Sequence, residues 1–502
     1  MPVPAFMRSE PNIMTTSPSS RPVISGALAD YDAGDYFCEM MHRGEPPPPE
    51  IASLVQRLDH FDLAQLRQRA SAAEAELFNL GITFTVYTER ESIDRILPFD
   101  LIPRIITAAE WAHVEAGVRQ RVAALNRFLW DIYHDGAILR DGVVPTALVH
   151  GNPNYRPVMR GLDVPGGTYV HICGTDIIRD EHGAFLVLED NARTPSGVSY
   201  VLENRQMMLR VMPDLADGLD LRPVGEYGLQ LQAALAEVAP DWASDPQVVL
   251  LSPGIFNSAY FEHVFLAREM GVPLVEGRDL VVQNDRVFMR TIGGLRPVHT
   301  IYRRLDDAFL DPECFNPDSL LGVPGIVRAY RAGNVTLANA VGTGVADDKA
   351  IYAYLPRIIR YYLNEEPILQ NVPTHICGEA EGLQYTLDNL ADLVVKPVGE
   401  SGGYGMIIGP HATRDEIESF RKTLLANPAN YISQPVVKLS VAPTLCDNGL
   451  EKRHVDLRPF AVTGRSTWVL PGGLSRVALR KGSLVVNSSQ GGGSKDTWVL
   501  AS

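Results

Sequence analysis

The chain has 502 residues, 45% of them apolar and 21% charged, with a net charge of −15 at neutral pH. Such a length suits about two to four packed units of ordinary globular composition. The negative charge disfavours non-specific binding to nucleic acid or an anionic membrane, and no apolar run reaches the roughly eighteen residues of a membrane span.

A polyanionic ligand would therefore need locally clustered Lys, Arg or metal ions. The five cysteines (Cys38, Cys173, Cys314, Cys377 and Cys446) are odd in number, widely spaced and without a C-x-x-C. That pattern argues against a disulfide framework or a structural zinc, and for a reducing cytoplasm.

Residues 1–49 read as a disordered or irregular tail. Met1 to Arg21 is rich in Pro and Ser without an apolar signal core, and the segment closes on Pro47-Pro48-Pro49. Residues 50–150 read as mainly helical. The clearest helix starts at Thr107, with Glu110 completing a capping box. Its apolar residues are Trp111, Val114, Val118, Val122, Leu125, Leu129 and Ile132. Steps of three and four make one buried stripe, and Gly136 ends it.

Residues 151–240 form the next unit. Tyr169–Ile172 and Phe185–Leu188 flank the polar turn Asp180-Glu181-His182-Gly183, a hairpin signal, before helical patterning returns. Residues 241–345 read as a Rossmann-like α/β unit. The apolar strand Val248–Leu251 is followed by a helix over Ala259–Met270 and by Val272–Val275, which suggests a parallel sheet. Asn284-Asp285 marks another hairpin. Residues 346–502 begin with a helix over 347–363, with Asp347 as its N-cap, and continue as strands and glycine-rich turns.

The first hairpin carries the acids. Counting outward from a turn near residue 182 or 183 places Asp176 opposite Glu189, and Asn191 projects from the same face as Glu189. Like charges directly opposed on a sheet repel, so three oxygen-bearing groups there suit an intervening cation such as Mg²⁺. A plain solvated hairpin is the alternative.

Downstream, Leu393–Pro397 is a β-branched strand with Lys396 near its end. It runs into Val398-Gly399-Glu400-Ser401-Gly402-Gly403-Tyr404-Gly405. Glycines let backbone N–H groups approach phosphate oxygens, and a lysine there adds point charge. The loop is neither a Walker loop nor a dinucleotide fingerprint, since it leads into a strand; a flexible hairpin is the alternative. Lys349 sits in a first helical turn, against the macrodipole, although a surface lysine paired with Asp348 is the commoner explanation. Tyr431–Val437 can offer backbone groups to an adenine edge or be a plain edge strand. His454, Asp456 and Arg458 share one strand face, close in sequence to Arg476, Asn487 and Gly491–Lys495. No G-x-S-x-G elbow supports a serine triad.

Together these pieces resemble the ATP-grasp superfamily, and more narrowly its circularly permuted type 2 branch, related to the synthetase domain of glutathionylspermidine synthase. The resemblance rests on Gly174-Thr175-Asp176, Leu188–Gly197, Asp347-Asp348-Lys349, Val395-Lys396-Pro397 with its glycine loop, Ser433-Gln434-Pro435 and the tail Asn487–Gly493. In ordinary members the lysines precede the E-x-N metal motif; here Glu189-Asp190-Asn191 comes first, as a permuted chain requires.

The resemblance implies an α/β (α+β) ATP-grasp fold with ATP and Mg²⁺ as cofactors. Asp176, Glu189 and Asn191 match the metal ligands, and Lys349 and Lys396 the nucleotide lysines. Gly402, Gly403 and Gly405 match the phosphate loop, and Gln434, Pro435, Val436 and Val437 the adenine hinge. Arg193 fits a residue facing the γ-phosphate or acyl-phosphate, with Arg303, Arg458, Arg476 and Asn487 as further candidates. The implied activity is a cytoplasmic, ADP-forming ligase of the peptide-bond-forming type. It would join a small-molecule carboxylate to an amine (amino acid, peptide or polyamine) or a thiol, without nucleic acid or membrane partners; a homo-oligomer is left open. A phosphotransferase on the same site and a nucleotide-binding partner protein with little activity are the alternatives. No amidase-like Cys/His arrangement appears near the N-terminus.

Overall fold

The computed structural model describes residues 26–41, 47, 49–87, 92–255, 257–399, 405–483, 486 and 491–501. Helix Ala108–Tyr133 starts where its sequence directs. Glu110 N donates to Thr107 Oγ1 (3.3 Å), and Thr107 N donates to Glu110 Oε2 (3.0 Å). Every residue of the expected stripe is at most 3% exposed. At roughly 1.5–3 kcal/mol per buried large aliphatic side chain, that stripe holds the helix against helix Lys349–Leu363 and the sheets beside it.

Three strands interrupt the region expected to be mainly helical: Thr83–Tyr87, Ser92–Ile96 and Phe99–Ile106. The last has no helical period, is buried from Asp100 to Ile106, and pairs in parallel with Gly493–Val499. Its Pro103 falls where that pairing changes register, one of the few places a strand tolerates proline.

Both strands belong to a ten-stranded sheet that forms the centre of the molecule. Its main path runs Gln370–Asn371, Phe185–Asn191, Ile172–Arg179, Gly449–Arg458, Leu474–Val477, Gly493–Val499, Phe99–Ile106. Residues 26–41 are irregular and packed rather than loose. Cys38 bridges to Val441, Leu28 and Met40 are buried, and the buried Glu39 carboxylate accepts from Arg104 (2.7 Å) and Arg179 (3.1 Å).

The Rossmann-like unit is present. Strands Thr336–Ala338, Thr300–Arg303, Val248–Leu251 and Leu274–Val275 lie side by side, all parallel, with helix Tyr260–Met270 as the crossover. Asn284 and Asp285 turn the next hairpin with φ of 51° and 56°, the left-handed pair such tight turns favour. A four-stranded antiparallel sheet, His375–Ile376, Tyr431–Pro435, Leu393–Pro397 and Ile407–Ile408, completes the frame. No helix among the described residues is long and apolar enough to cross a membrane.

Candidate functional site

The acidic hairpin is formed by Ile172–Arg179 and Phe185–Asn191, with Asp176 opposite Glu189 and Gly174 opposite Asn191. A bulge between Asp176 and Ile177 shifts the register nearer the turn, leaving the acidic end as counted. Asp190 faces the other side. There Arg121, fully buried on helix Ala108–Tyr133, donates to it from Nη2 (2.5 Å) and Nε (3.0 Å).

Asp176 is 3% exposed and accepts from two guanidiniums: Arg458 through Nε and Nη2 (2.8 Å to Oδ2), and Arg476 through Nη2 (2.6 Å). Burial alone would raise this carboxyl; Arg458 and Arg476 overcome it and hold Asp176 well below the usual carboxylate range. Arg476 also grips Asp456 (3.0 and 2.5 Å), whose carboxyl burial raises against the pull of that cation. Asp456 and Arg458 thus join the cluster. His454, on the same strand face, does not: its Nδ1 meets Leu439 O (3.0 Å), and its ring lies edge-on to Tyr36.

The lysines come from two other elements. Asp348, rather than the expected Asp347, caps helix Lys349–Leu363 by accepting from Ala350 N (2.8 Å). The Lys349 ammonium then lies 3.3 Å from Glu189 Oε2. Lys396 donates to Gln434 Oε1 (2.9 Å), and Gln434 Nε2 donates to Thr374 (3.0 Å). Burial, with Lys349 nearby, lowers the Lys396 ammonium to about 8, while Glu189 and Asp176 pull the other way. The hairpin acids and both lysines therefore act on one another within a single space.

Asp347 has a different task. It accepts from Ala192 N (2.5 Å), Arg193 N (3.0 Å) and Arg193 Nε (3.2 Å). Burial pushes its carboxyl up to about 6; Arg193 opposes the rise and Glu189 adds to it. Arg193 also lies 3.4 Å from Asp306.

Two expected residues sit differently from the sequence reading. Arg303 is 1% exposed and donates to the carbonyls of Asn339 (2.8 Å), Leu305 (2.7 Å) and Ala340 (3.0 Å), besides pairing with Asp307. These contacts staple the parallel sheet to the following loops. Asp176, expected as a metal ligand, has both oxygens engaged by arginines, Oδ1 by Arg458 and Oδ2 by Arg476. Among the described residues, no three His, Cys, Asp or Glu side chains gather to hold a metal. Glu189 and Asn191 still fit Mg²⁺, which takes few protein oxygens when phosphates supply the rest. The Asn191 amide nitrogen donates to Gly174 O (3.1 Å), so its oxygen is the atom it can present to a cation.

Pro435, Val436 and Val437 form a half-buried segment leaving strand Tyr431–Pro435. Gly405 has φ of +68°. Gly402, Gly403 and Asn487 lie outside the described residues. Sequence reasoning missed Arg304 and Glu262, both buried. Arg304 donates to Pro195 O (2.6 Å) and Glu262 Oε1 (3.1 Å), while Glu262 Oε2 accepts from Gly197 N (2.7 Å) and Ser199 N (3.1 Å). They fix the turn after Arg193.

Residues 103–478 match the circularly permuted ATP-grasp type 2 family model. The chain belongs to that family. It is 53% identical over 474 residues to an uncharacterized protein of Synechocystis sp., covering 94% of this chain and 98% of the relative. It is 44% identical over 454 residues to a Frankia alni protein with the provisional name glutamate–cysteine ligase 2-3, covering 90% of this chain and 52% of the relative, so it spans about half of that protein. A glutathione synthetase-like effector from Globodera pallida, solved in its apo form, shares the fold. Its TM-score is 0.57 at 11% identity, over 88% of this chain and 98% of that one. Membership in a permuted ATP-grasp family accounts for an E-x-N motif preceding the lysines.

Proposed function

We propose that this ATP-grasp protein is an ATP- and Mg²⁺-dependent ligase that joins a carboxylate to an amine or thiol through an acyl-phosphate, releasing ADP and phosphate. The observation that carries the reading is the 3.3 Å approach of Lys349 to Glu189, with Lys396 held beside them by Gln434. The family and the Frankia relative's name both support an ATP-dependent ligase. Because the chain matches only about half of that relative, the name is taken for the reaction class and not for glutamate or cysteine.

Glu189 and Asn191 would hold Mg²⁺, whose positive charge would offset that of the phosphates. Lys349 and Lys396 would fix the triphosphate, and Pro435 to Val437 would border the adenine. Arg193, Arg458 and Arg476 surround the acidic hairpin, where positive charge suits the carboxylate and the transferring phosphoryl group. A substrate carboxylate oxygen attacks the γ-phosphorus as the bond to ADP breaks. The nucleophile then attacks the acyl carbon, phosphate leaves, and the nucleophile's proton passes to solvent.

The test is a screen of amino acids, small peptides and polyamines for stimulated ADP release, with product mass as readout and hydroxylamine as trap. A hydroxamate of the stimulating acid is the expected outcome. A stable phosphorylated product would make the protein a phosphotransferase, and no stimulation by any acid would leave a nucleotide-binding partner. Glu189→Gln is expected to abolish turnover with the melting temperature little changed; full activity in that variant refutes the assignment.

A further inference from the structure

The two residues that follow Asn191 have all four of their backbone polar groups satisfied by side chains from far along the chain. Ala192 N and Arg193 N both donate to Asp347 Oδ1 (2.5 and 3.0 Å). Ala192 O and Arg193 O both accept from Asn339 Nδ2 (2.9 and 3.1 Å). Asn339 is 1% exposed and also spans to the other hairpin arm, accepting from His171 N and Ile172 N (2.7 Å each) and donating to Ile172 O (2.7 Å). It sits at the carboxyl end of strand Thr336–Ala338, so it is fixed by the parallel sheet. Asp347 lies two residues before Lys349, whose ammonium meets Glu189.

A strand leaving a sheet normally spends its backbone groups on water or a neighbouring strand. Here two side chains at the ends of one short segment, 339–347, take them instead. Their geometry sets how far Glu189 and Asn191 stand from Lys349. On this basis we infer that Asn339 and Asp347 are positioning residues that lock the cation-binding end of the hairpin to the lysine helix. Neither touches the nucleotide; they act through Ala192 and Arg193. This inference rests on the metal and nucleotide roles proposed above.

The chemistry assigns different weights to the two. Asn339 is inseparable from the core, because its amide also ties the start of the hairpin. Asp347 is the separable half, at the edge of the site, and each of its contacts is to Ala192 or Arg193. Asp306 supplies a control: it also pairs with Arg193, through Nη1 at 3.4 Å, but half of its side chain is exposed.

The experiment measures binding of a non-hydrolysable ATP analogue to the full chain by calorimetry, in Mg²⁺ and in EDTA. Asp347→Ala is expected to raise Kd in Mg²⁺ by about tenfold, the usual scale for removing a group that orients a metal ligand, while Kd in EDTA stays at the wild-type value. Asp347→Asn keeps an oxygen for the two N–H groups and should recover most of the loss. Asp306→Asn should behave as wild type. If Asp347→Ala does not fold, Asp347→Glu, which keeps the charge but displaces the oxygens by a methylene, carries the same expectation. An equal rise in both conditions means general loosening and overturns the inference, as does no rise in either. Wild-type binding that is indifferent to Mg²⁺ would instead overturn the proposed metal role.

Discussion

Lys396 gives the sharpest test of the proposed nucleotide site. Its ammonium is lowered from 10.5 to about 8 by burial, with Lys349 adding to the effect. A free lysine in the unfolded chain keeps the ordinary value, so the unfolded state binds more protons between pH 8 and 10.5. Keeping Lys396 charged in the fold then costs roughly 3 kcal/mol below pH 8, and that cost is relieved as pH rises through this window. A triphosphate beside Lys396 supplies the missing counter-charge and returns the ammonium toward its ordinary value. Binding should therefore take up a proton where the free lysine is partly neutral: about half a proton at pH 8 and about a tenth at pH 7. Affinity should fall about tenfold per pH unit above 8, because the neutral amine must first be protonated. Calorimetric titration of the ATP analogue in two buffers of different ionisation enthalpy measures the uptake directly. In Lys396→Met both the uptake and the alkaline loss of affinity should vanish. Absence of uptake at pH 8, or its persistence in Lys396→Met, refutes the placement of this lysine against the phosphates.

Two stability predictions test the frame around the site. Arg121→Met leaves the buried Asp190 without its cationic partner and should cost about 3–5 kcal/mol in urea unfolding; a loss below about 1 kcal/mol would mean that this pair contributes no more than an exposed one. Arg303→Lys cannot reproduce three carbonyl contacts and a carboxylate pair from one ammonium. It should lower the melting temperature while the folded fraction binds the analogue with wild-type affinity, and a selective loss of affinity would restore Arg303 to the site.

What the sequence made legible was local. The helix after Thr107, the parallel strands around Val248–Leu251 and the pairing of Asp176 with Glu189 all follow from periods and turns within about 25 residues. Those patterns survive because the same side chains that set the period make the buried face. Strand Phe99–Ile106 was not legible, since its partner Gly493–Val499 lies nearly the whole chain away and Pro103 disguises it.

The site divides in the same way. The types and approximate places of Glu189, Asn191, Lys349 and Lys396 could be read, but not what holds them. Asp347 looked like a helix cap because it precedes a helix. One residue decides between a cap and a clamp, and only the folded position of Ala192 makes that choice. Arg303 was a candidate only through the family resemblance, and its acceptors are carbonyls that no sequence pattern marks. Asp176 was read from the hairpin alone, without the two arginines that lie 282 and 300 residues further on.

The same charges explain how a chain of net charge −15 could accept a triphosphate. Around the hairpin stand Arg193, Arg458, Arg476, Lys349 and Lys396, set against Asp176, Glu189, Asp347 and Asp456. With Asp306, which also pairs with Arg193, the carboxylates equal the cations in number, so the local field is close to balanced despite the surplus of acid elsewhere. Arg458 and Arg476 are committed to buried carboxylates in geometries that are costly to break. The Lys349–Glu189 contact is longer than those arginine pairs, a single ammonium against a side chain still 23% exposed, and is cheaper to exchange than either of them. A nucleotide arriving with its cation could split that pair at little net cost, phosphate replacing Glu189 at the lysine and the cation replacing the lysine at Glu189. The arginine pairs would stay in place as the fixed wall of the site. On this reasoning the contact between the Lys349 ammonium and the Glu189 carboxylate must open on binding by side-chain rotation, with both backbones held in place, while the Arg476–Asp176 contact must not.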